Sequence, residues 1–421
     1  MPKYFLRSFG CQMNSADSEF IVNLLISRGF EQENDVEKAD VVIVNTCSVR
    51  EKAENKAFAV IQQYASIKKK GALLWVIGCM AERIGDEIKN KIPKISRVIG
   101  ATQIEFVEEK IDEYLLPLGN FSALPQNIQS EWSSLLPIMR GCNNFCTYCI
   151  VPFVRGREHS VKSAEILEQA QKIVNNGASE IILLGQNVNS YADENLDFSD
   201  LMAKVAEIKG LKRLRFMTSH PKDLSEKLVR IIAKTPNICN HIHLPVQSGN
   251  SEILEKMNRK YTREQYLEKI AMIKEIIPDC DITTDAIVGF PNETEEQFLD
   301  TISLFEQVKY AFAFMFAYSP RVGTTASKAD NQIPQKEKLI RLAKLVETQN
   351  NIVRDFYSKQ IGKEFEVLFT LEHGKKGAHS WVGQDFGAKR ILVDTNENLG
   401  GKIAKVKITQ SSGMTLVGEL V

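Results

Sequence analysis

The amino-acid sequence predicts an α/β protein built of three successive parts. Residues 1–118 indicate a parallel-sheet α/β domain, because continuous apolar runs, typical of strands buried on both faces, alternate with helical patterns. Residues 135–358 repeat a strand-plus-helix unit six times, which predicts a partial (βα)6 barrel. Residues 359–421 consist of short alternating segments separated by glycines, as in a small antiparallel β-barrel of the oligonucleotide-binding (OB) kind. The stretch 119–134, rich in Asn, Gln, Ser and Pro, is predicted to be a linker.

The first part contains three apolar runs that each end next to a cysteine. Because the carboxyl ends of parallel strands share one edge of a sheet, we expect these cysteines to converge although they are far apart in sequence. Cysteine is among the most buried residue types, so a purely structural role is the alternative. The repeated context favours a three-cysteine site. The runs are 4–9, 41–44 and 72–77, and the cysteines that follow them are Cys11, Cys47 and Cys79.

Six apolar segments of the central part are predicted to be the strands of the partial barrel. Helical patterns such as Ser163–Val174 and Glu295–Val308 separate them. In barrels of this kind, ligand sites lie at the carboxyl ends of the strands. The predicted strands are 135–139, 181–184, 214–217, 241–244, 282–288 and 312–318.

Three cysteines directly after the first of these strands form the most specific motif of the sequence. Cys142, Cys146 and Cys149 have C-x3-C-x2-C spacing, and thiolates are soft ligands suited to zinc or iron–sulfur clusters. No fourth cysteine follows nearby, so a [4Fe–4S] cluster would keep one vacant iron, the arrangement of a catalytic metal. A zinc site with a distant ligand and a redox thiol pair are the alternatives. The tight spacing favours the open cluster.

Polar or glycine-containing turns follow four of the central strands. Each turn by itself is ordinary, but together, on the rim that holds the cysteine motif, they predict a pocket for a polar cofactor. The turns are Gly185-Gln186-Asn187, Thr218-Ser219-His220-Pro221, Pro245-Val246-Gln247-Ser248-Gly249 and Gly289-Phe290-Pro291.

Basic residues are concentrated near this predicted rim. Arg155 and Arg157 follow the cysteine motif and are candidates to meet phosphates or a cofactor carboxylate. A solvated helix face is the simpler explanation of a second group, which includes Arg259. The chain has 53 basic and 53 acidic residues, so any binding of nucleic acid has to rest on local patches. We therefore take Arg155, Arg157 and Arg259 as candidate RNA contacts.

Cysteine usage and hydropathy indicate a reduced, aqueous compartment. Eight cysteines in 421 residues are too sparse for a secreted disulfide scaffold. The first residues lack the long apolar core of a signal peptide, and no apolar run is long enough to span a membrane. We therefore expect a cytoplasmic protein that has no membrane contacts.

Five motifs resemble those of the radical S-adenosylmethionine (SAM) methylthiotransferases. C-x3-C-x2-C is the signature of radical SAM enzymes, and the resemblance covers essentially the full chain. It implies a methylthiotransferase domain, a radical SAM partial barrel and a TRAM domain, in the same order as the three parts above. Within the family, the motifs are most similar to the members that modify N(6)-(dimethylallyl)adenosine in tRNA. They are Gly10–Glu19, Asn45–Arg50, Gly78–Met80, Gly141–Cys149 and Val154–Glu158.

The resemblance implies two [4Fe–4S] clusters and two molecules of SAM per turnover, one as methyl donor and one as radical source. Cys142, Cys146 and Cys149 would bind the radical SAM cluster, whose vacant iron chelates SAM. A second, auxiliary cluster would carry the sulfur on Cys11, Cys47 and Cys79, so all six cysteines are expected to be catalytic. The residues expected to hold SAM are Tyr148, Gln186, Asn187, Ser219, Gln247, Ser248, Ile287, Gly289 and Tyr318.

The implied reaction inserts a methylthio group at C2 of N(6)-(dimethylallyl)adenosine at tRNA position 37, next to the anticodon. The expected partners are a tRNA anticodon stem-loop carrying this isopentenylated base, a reductase and a sulfur donor, and we expect a monomer. The same chemistry on threonylcarbamoyl-adenosine of tRNA, or on an aspartate of a ribosomal protein, is the alternative in substrate. The alternative in class is a non-catalytic iron–sulfur protein that binds RNA or carries electrons; two open triads and a polar rim argue against it.

Overall fold

The computed structural model describes residues 1–49, 51–115, 132–375 and 378–421. They form two compact units. The first contains the described residues of Met1–Gln129 together with Arg140–Phe145 and Cys149–His159. The second contains the described residues of Ser130–Met139, Cys146–Tyr148 and Ser160–Val421. Most of the predicted linker, 119–134, lies outside the described residues, and the proposed domain boundaries stay predictions.

The first unit is built on a five-stranded parallel sheet in the order β2-β1-β3-β4-β5. Residues 41–44 of β3 and 73–77 of β4 alternate between apolar clusters on opposite faces of the sheet, which explains why both runs are continuously apolar. The parallel α/β prediction is confirmed. The elements are β1 Lys3–Ser8, α1 Gln12–Ser27, β2 Glu31–Gln32, β3 Val41–Thr46, α2 Glu51–Ile67, β4 Leu73–Gly78, α3 Cys79–Lys91, β5 Arg97–Gly100 and α4 Val107–Leu115.

The second unit begins with the predicted partial barrel, as two parallel three-stranded sheets. One sheet has the order β12-β9-β6 and the other has the order β13-β14-β15. Between β12 and β13, where the two sheets are not paired, an isolated parallel bridge joins Leu214 and Ile238. From residue 133 to residue 358 the elements are β6 Ser133–Pro137, β7 Met139–Arg140, α5 Val151–Val154, β8 His159–Ser160, α6 Ser163–Asn175, β9 Glu180–Leu184, β10 Ala192–Asp193, β11 Leu196–Asp197, α7 Phe198–Ala206, β12 Arg213–Phe216, α8 Glu226–Lys234, β13 His241–His243, α9 Ser251–Lys256, α10 Arg263–Ile276, β14 Asp281–Val288, α11 Glu295–Val308, β15 Phe312–Ala317 and α12 Gln335–Ser358. Of these, α5, Arg140 of β7 and His159 of β8 belong to the first unit.

The two faces of the β14–β15 half of this barrel differ in character. Ile282, Ala286 and Val288 belong to the large apolar core that the helices cover, so the even-numbered residues of β14 face outward onto helices. Because side chains alternate along a strand, Thr283, Asp285 and Ile287 face the inside of the partial barrel. The register pairs these three residues with Phe312, Phe314 and Phe316 of β15, which therefore share the inner face.

The C-terminal residues form a closed five-stranded barrel in the order β16-β17-β18-β20-β19. The pairing is antiparallel except between β18 and β20, which are parallel. This is the strand order of an OB barrel, and the predicted barrel is confirmed. Val353 and Tyr357 near the end of α12 pack into its core. Its strands are β16 Glu364–Lys375, β17 Ala378–Gln384, β18 Arg390–Asp394, β19 Ile403–Ser412 and β20 Thr415–Leu420.

None of the helices in the described part of the chain combines the length and apolar character needed to cross a bilayer.

Candidate functional site

Cys11, Cys47 and Cys79 lie at the carboxyl ends of three neighbouring strands of the first unit. Cys11 is the residue before α1, Cys47 follows β3 directly, and Cys79 is the first residue of α3, directly after β4. Because β1, β3 and β4 are adjacent and parallel, their ends share one edge of the sheet, as predicted. Among the described residues, no three His, Cys, Asp or Glu side chains are already gathered closely enough to hold a metal ion. The fold therefore brings the three loops to one edge without closing a ligand set.

Two glycines let the cysteine loops approach each other. Gly10 has a φ of +122°, and a Cβ there would lie 2.7 Å from Cβ of Cys47. Gly78 has a φ of +94°, and a Cβ there would lie 2.4 Å from Oδ1 of Asn45. Both glycines precede a cysteine in sequence, so the Gly-Cys pairs reflect close packing of these loops as well as backbone conformation.

We expect Gly78→Ala to destabilise the first unit and to lower its capacity to take up iron. Gly78 has a φ of 94° and a ψ of −160°, a conformation used almost only by glycine, which costs alanine roughly 1–3 kcal/mol. The contact with Asn45 adds to that cost. Gly71→Ala is the matched control, because Gly71 has a φ of +84° but no atom lies within 4 Å of the place where its Cβ would be. Calorimetric melting of both full-length variants, with iron counted after anaerobic reconstitution, measures the difference. Equal losses in the two variants would show that the close approach is unimportant.

A buried ion-pair network supports the same edge of the first unit. Asp17, fully buried on α1, accepts hydrogen bonds from Nη1 of Arg140 at 2.7 Å and from Nη2 of Arg155 at 3.0 Å. Arg155 also donates to Oδ1 of Asn14 at 3.2 Å. Asn14 and Asn45 are joined by Asn14 Nδ2 donating to Asn45 Oδ1 at 3.0 Å and Asn45 Nδ2 donating to the Asn14 carbonyl at 2.8 Å. The network ties the first turns of α1, directly after Cys11, to the end of β3, directly before Cys47.

A buried positive charge, that of Arg155, lies beside the thiol of Cys79. Burial raises the pKa of the Cys79 thiol to about 11, and the neighbouring Arg155 guanidinium opposes that rise. Nη1 of Arg155 is buried and makes no hydrogen bond to any described residue. A buried cation that retains a donor beside thiols fits an anionic iron–sulfur cluster, which accepts hydrogen bonds at sulfur. The residues present therefore fit the auxiliary cluster that the sequence motifs imply.

The predicted SAM-binding residues of the second unit fall into two groups. The first follows β9 and β12, whose loops are joined by Val188 N donating to the Thr218 carbonyl at 3.0 Å. Thr218 has a φ of 70°, an unusual conformation for threonine, directly before Ser219. Buried oxygens that lack a hydrogen-bond partner within the described chain occur on Gln186, Asn187 and Ser219. Since buried polar atoms are normally paired, this edge of the barrel fits a polar ligand.

The second group lies at the ends of β13, β14 and β15. Backbone hydrogen bonds join Ile287 N to the Gln247 carbonyl at 2.8 Å and Tyr318 N to the Val288 carbonyl at 2.9 Å. Ile287, Tyr318 and Tyr148 belong to one apolar cluster, suited to the flat face of an adenine. Gln247, with a φ of 71°, again precedes a predicted ligand, Ser248. The remaining predicted residue is Gly289, whose N–H donates to Oε2 of Glu293 at 2.6 Å.

Arg259 has a role that its sequence context did not reveal. Its buried guanidinium donates from Nη1 to Sγ of Cys146 at 3.3 Å and from Nη2 to the Pro245 carbonyl at 3.0 Å. Nη1 also lies 3.5 Å from the hydroxyl of Tyr148. Cys142 and Cys149 belong to the first unit, where the Cys142 N–H donates to the Gly156 carbonyl at 3.2 Å. Arg259 is thus the immediate neighbour of one cysteine of the C-x3-C-x2-C motif within the second unit.

The predicted RNA contacts need correction. Arg155 and Arg259 are 7% and 4% exposed, and both are engaged with protein partners, so neither guanidinium is available to a phosphate. The sequence reasoning missed this because an arginine in a buried ion pair looks the same in sequence as one on a surface. Arg157 remains exposed, with its guanidinium 4.4 Å from the ring centroid of Phe145. Phe145 in turn makes an edge contact with Phe153, which is also exposed.

Three residues of the site lie inside the sequence motifs, although the sequence alone indicates no function for them. Asn14 and Asp17 lie in the motif around Cys11, and Asn45 lies two residues before Cys47. The spacing of Asn14 and Asp17 could have indicated that they act together, because residues three apart lie on the same face of a helix such as α1. Their partners come from distant segments, which no local pattern identifies.

Comparison with known proteins agrees with this geometry. Residues 136–305 match the Radical SAM superfamily, and residues 3–100 match Uncharacterized protein family UPF0004. A tRNA-2-methylthio-N(6)-dimethylallyladenosine synthase from Clostridium perfringens (strain SM101 / Type A) is 42% identical over 440 residues, covering 99% of this chain and 97% of the relative. The protein of the same name from Endomicrobium trichonymphae is 40% identical over 420 residues, covering 99% and 100%.

Solved structures show the same fold at low sequence identity. The radical S-adenosylmethionine methyltransferase TsrM from Kitasatospora setae, solved with cobalamin and a [4Fe–4S] cluster bound, superposes with a TM-score of 0.57 at 13% identity and covers 78% of this chain and 77% of its own. At that identity the likeness concerns the fold alone. The full-length relatives decide the family: this chain belongs to the radical SAM methylthiotransferases.

Proposed function

We propose that this protein inserts a methylthio group at C2 of N(6)-(dimethylallyl)adenosine at position 37 of tRNA. The observation that supports this most strongly is the placement of Cys11, Cys47 and Cys79 after adjacent parallel strands, in a chain that also has the C-x3-C-x2-C motif. Sulfur insertion needs a sulfur-carrying site besides a radical-generating site. Two cysteine triads provide for both, and relatives that cover the whole chain bear the name of this activity.

The family uses [4Fe–4S] clusters and SAM, which when bound supply the inserted sulfur, its methyl group, and the one-electron chemistry that replaces the adenine C2–H bond by a C–S bond. Cys142, Cys146 and Cys149 would hold the radical SAM cluster, and the auxiliary triad would hold the other. In this assignment Arg155 and Arg259 act as cationic donors to cluster sulfur. Such hydrogen bonds favour the more negative, reduced state of a cluster.

The SAM site in this proposal uses the two groups of rim residues for different parts of the molecule. The unpaired oxygens of Gln186, Asn187 and Ser219 are placed to accept hydrogen bonds from its amino and hydroxyl groups. Tyr148, Ile287 and Tyr318 would enclose the adenine ring. Gln247 and Ser248 are assigned to the ribose side. Gly289 stays among the proposed SAM residues through its backbone only, because the side chain of Lys338 fills the place where its Cβ would be.

Recognition of tRNA would rest on local features because the net charge is zero. The exposed Arg157 and the aromatic pair Phe145 and Phe153 combine a phosphate donor with surfaces on which bases stack. The C-terminal barrel, assigned as a TRAM domain, would grip the anticodon arm, and the target base would have to leave its stack to react. The proposal includes a reductase, a sulfur donor, a monomeric state and a cytoplasmic location.

Methylthiolation of a defined tRNA by the reconstituted protein tests the proposal. The anaerobic reaction, with a reductant and SAM, is run on anticodon stem-loops that carry dimethylallyladenosine, threonylcarbamoyl-adenosine or unmodified adenosine, and the nucleosides are identified by mass spectrometry. We expect the methylthio product from the dimethylallyl substrate. Product from the threonylcarbamoyl substrate alone would transfer the assignment to that base, and SAM cleavage without any RNA product would favour another substrate.

A further inference from the structure

The inner face of the β14–β15 half-barrel presents a carboxylate beside a row of three aromatic rings. Asp285 of β14 is paired in register with Phe314 of β15, and Phe312 and Phe316 precede and follow Phe314 on the same face. We call Phe312, Phe314 and Phe316 the aromatic row. The rings of Phe312 and Phe314 make an edge contact, with centroids 4.7 Å apart. Nothing in the family assignment above requires this arrangement.

This face is accessible although it lies on central strands. Phe314 is 39% exposed and the side chain of Asp285 is 28% exposed, whereas Ala286 on the opposite face of the same strand is fully buried. A phenylalanine on the inside of a barrel would normally be covered by neighbouring side chains. An exposed aromatic surface rimmed by polar groups is typical of a binding site.

His243 fixes the polar end of this surface. Its Nε2 lies 3.5 Å from Oδ1 of Asp285, and its Nδ1 is 3.0 Å from the hydroxyl of Thr283. The His243 ring also meets the ring of Phe314 edge-on, with centroids 6.3 Å apart. A carboxylate has about four acceptor positions, and the imidazole of His243 occupies at most one of them. Asp285 can therefore also accept a hydrogen bond from a ligand on the aromatic row.

We propose that this inner face binds the target base, with the aromatic row against the adenine and its dimethylallyl group and with Asp285 accepting the hydrogen of the N6 amine. The inference rests on the proposed function and deepens it. Adenine alkylated at N6 offers one N–H donor next to an apolar branch, which matches a carboxylate next to aromatic rings. The site belongs to the second unit alone. Ile287, one of the predicted SAM residues, lies on the same face of β14, two residues after Asp285.

The same arrangement discriminates against the alternative substrates. A threonylcarbamoyl group carries a carboxylate, and so does an aspartate side chain. Bringing either carboxylate against Asp285 places two negative charges together, which weakens binding. The inner face would thus select the neutral, apolar modification by attraction to the aromatic row and reject the acidic ones by charge.

Binding and kinetics of two substitutions test the inference. Anticodon stem-loops that differ only in the target base, dimethylallyladenosine, adenosine or threonylcarbamoyl-adenosine, are titrated against the reconstituted full-length protein by fluorescence anisotropy. We expect Phe314→Ala to reduce the preference for dimethylallyl over unmodified adenosine by about tenfold, the usual effect of losing apolar contact with one small group. Asp285→Asn keeps the shape of the side chain but removes its charge. It should reduce the ratio of the dissociation constants of the threonylcarbamoyl and dimethylallyl loops by a similar factor.

Kinetic constants and a control variant distinguish a loss of base binding from a general loss of folding or SAM chemistry. KM for the dimethylallyl loop should rise in both variants, while formation of 5′-deoxyadenosine from SAM without RNA stays at the wild-type rate. Leu339→Ala, at a 51% exposed apolar residue on α12, is the matched control. It should change neither KM for the dimethylallyl loop nor the rate of 5′-deoxyadenosine formation. Wild-type preferences in both variants would overturn the inference. If instead the wild type does not methylthiolate the dimethylallyl loop, the proposed function itself fails, so the two failures are distinct.

Discussion

Replacing Cys47 by alanine is expected to abolish methylthiolation of tRNA while SAM is still cleaved at close to the wild-type rate. Cys47 follows β3 in the auxiliary triad and is 1% exposed, whereas SAM cleavage is assigned to the C-x3-C-x2-C triad. Loss of one of three thiolates leaves the auxiliary cluster with too few protein ligands. Iron analysis after anaerobic reconstitution should fall from about eight to about four per chain. The methylthio nucleoside and 5′-deoxyadenosine are measured in the same reaction.

Two further cysteine variants show whether the effect of Cys47→Ala is specific to the auxiliary triad. Cys146→Ala should do the reverse, with loss of both SAM cleavage and RNA product and with iron again reduced by about half. Cys239→Ala is the control, because Cys239 belongs to neither triad and burial raises the pKa of its thiol to about 12. It should retain both activities. Many turnovers of methylthiolation by the Cys47 variant would remove Cys11, Cys47 and Cys79 from the mechanism and return them to a structural role.

The strands could be predicted from the sequence because the requirement for burial is local. Residues 41–44 of β3 and 73–77 of β4 each face one of two apolar cores, so these two runs had to be apolar throughout. The predicted strands of the partial barrel agree with the observed ones to within a few residues for the same reason. The convergence of the three cysteine loops also followed, because parallel strands fix which ends share an edge.

The partners of charged side chains could not be predicted, because pairing depends on contacts between distant segments. Arg155 is 138 residues from Asp17, and Arg259 is 113 residues from Cys146. The sequence favoured a solvated helix face for Arg259 and a contact with phosphates or a cofactor carboxylate for Arg155. The structure instead buries Arg155 beside a carboxylate and Arg259 beside a thiol. In the sequence the aromatic row looks like an ordinary strand. Its proposed function depends on Asp285, which lies on another strand, β14, and is placed beside Phe314 by the pairing of the two strands. Sequence patterns thus located the candidate cluster ligands, while the residues that position or select came from the fold.

Asp17→Asn is expected to destabilise the first unit by about 3–5 kcal/mol, the usual effect of removing one partner from a buried ion pair. Asp17 is fully buried and accepts hydrogen bonds from both Arg140 and Arg155. Asparagine keeps the shape but leaves the buried Arg155 guanidinium without a counter-charge. Because Arg155 also donates to Asn14, the loops of Cys11 and Cys47 should lose their anchoring. Urea unfolding of the full-length apoprotein measures the loss, and iron analysis after reconstitution measures its effect on the cluster.

Glu168→Gln is the matched control, since Glu168 forms an exposed ion pair with Lys172 at 2.6 Å on α6. Exposed pairs of this kind contribute little, so the urea midpoint of this variant should equal that of the wild type. In the Asp17 variant, iron should fall by the amount that Cys47→Ala removes, and SAM cleavage should persist, because Arg155 and Asn14 connect Asp17 to the segments that carry the auxiliary cysteines. If stability falls while the full iron content is retained, the network is a structural support that the auxiliary cluster does not need. Loss of SAM cleavage together with the iron would instead mean that Asp17 also supports the cysteine motif through Arg140, which directly precedes Gly141 and Cys142.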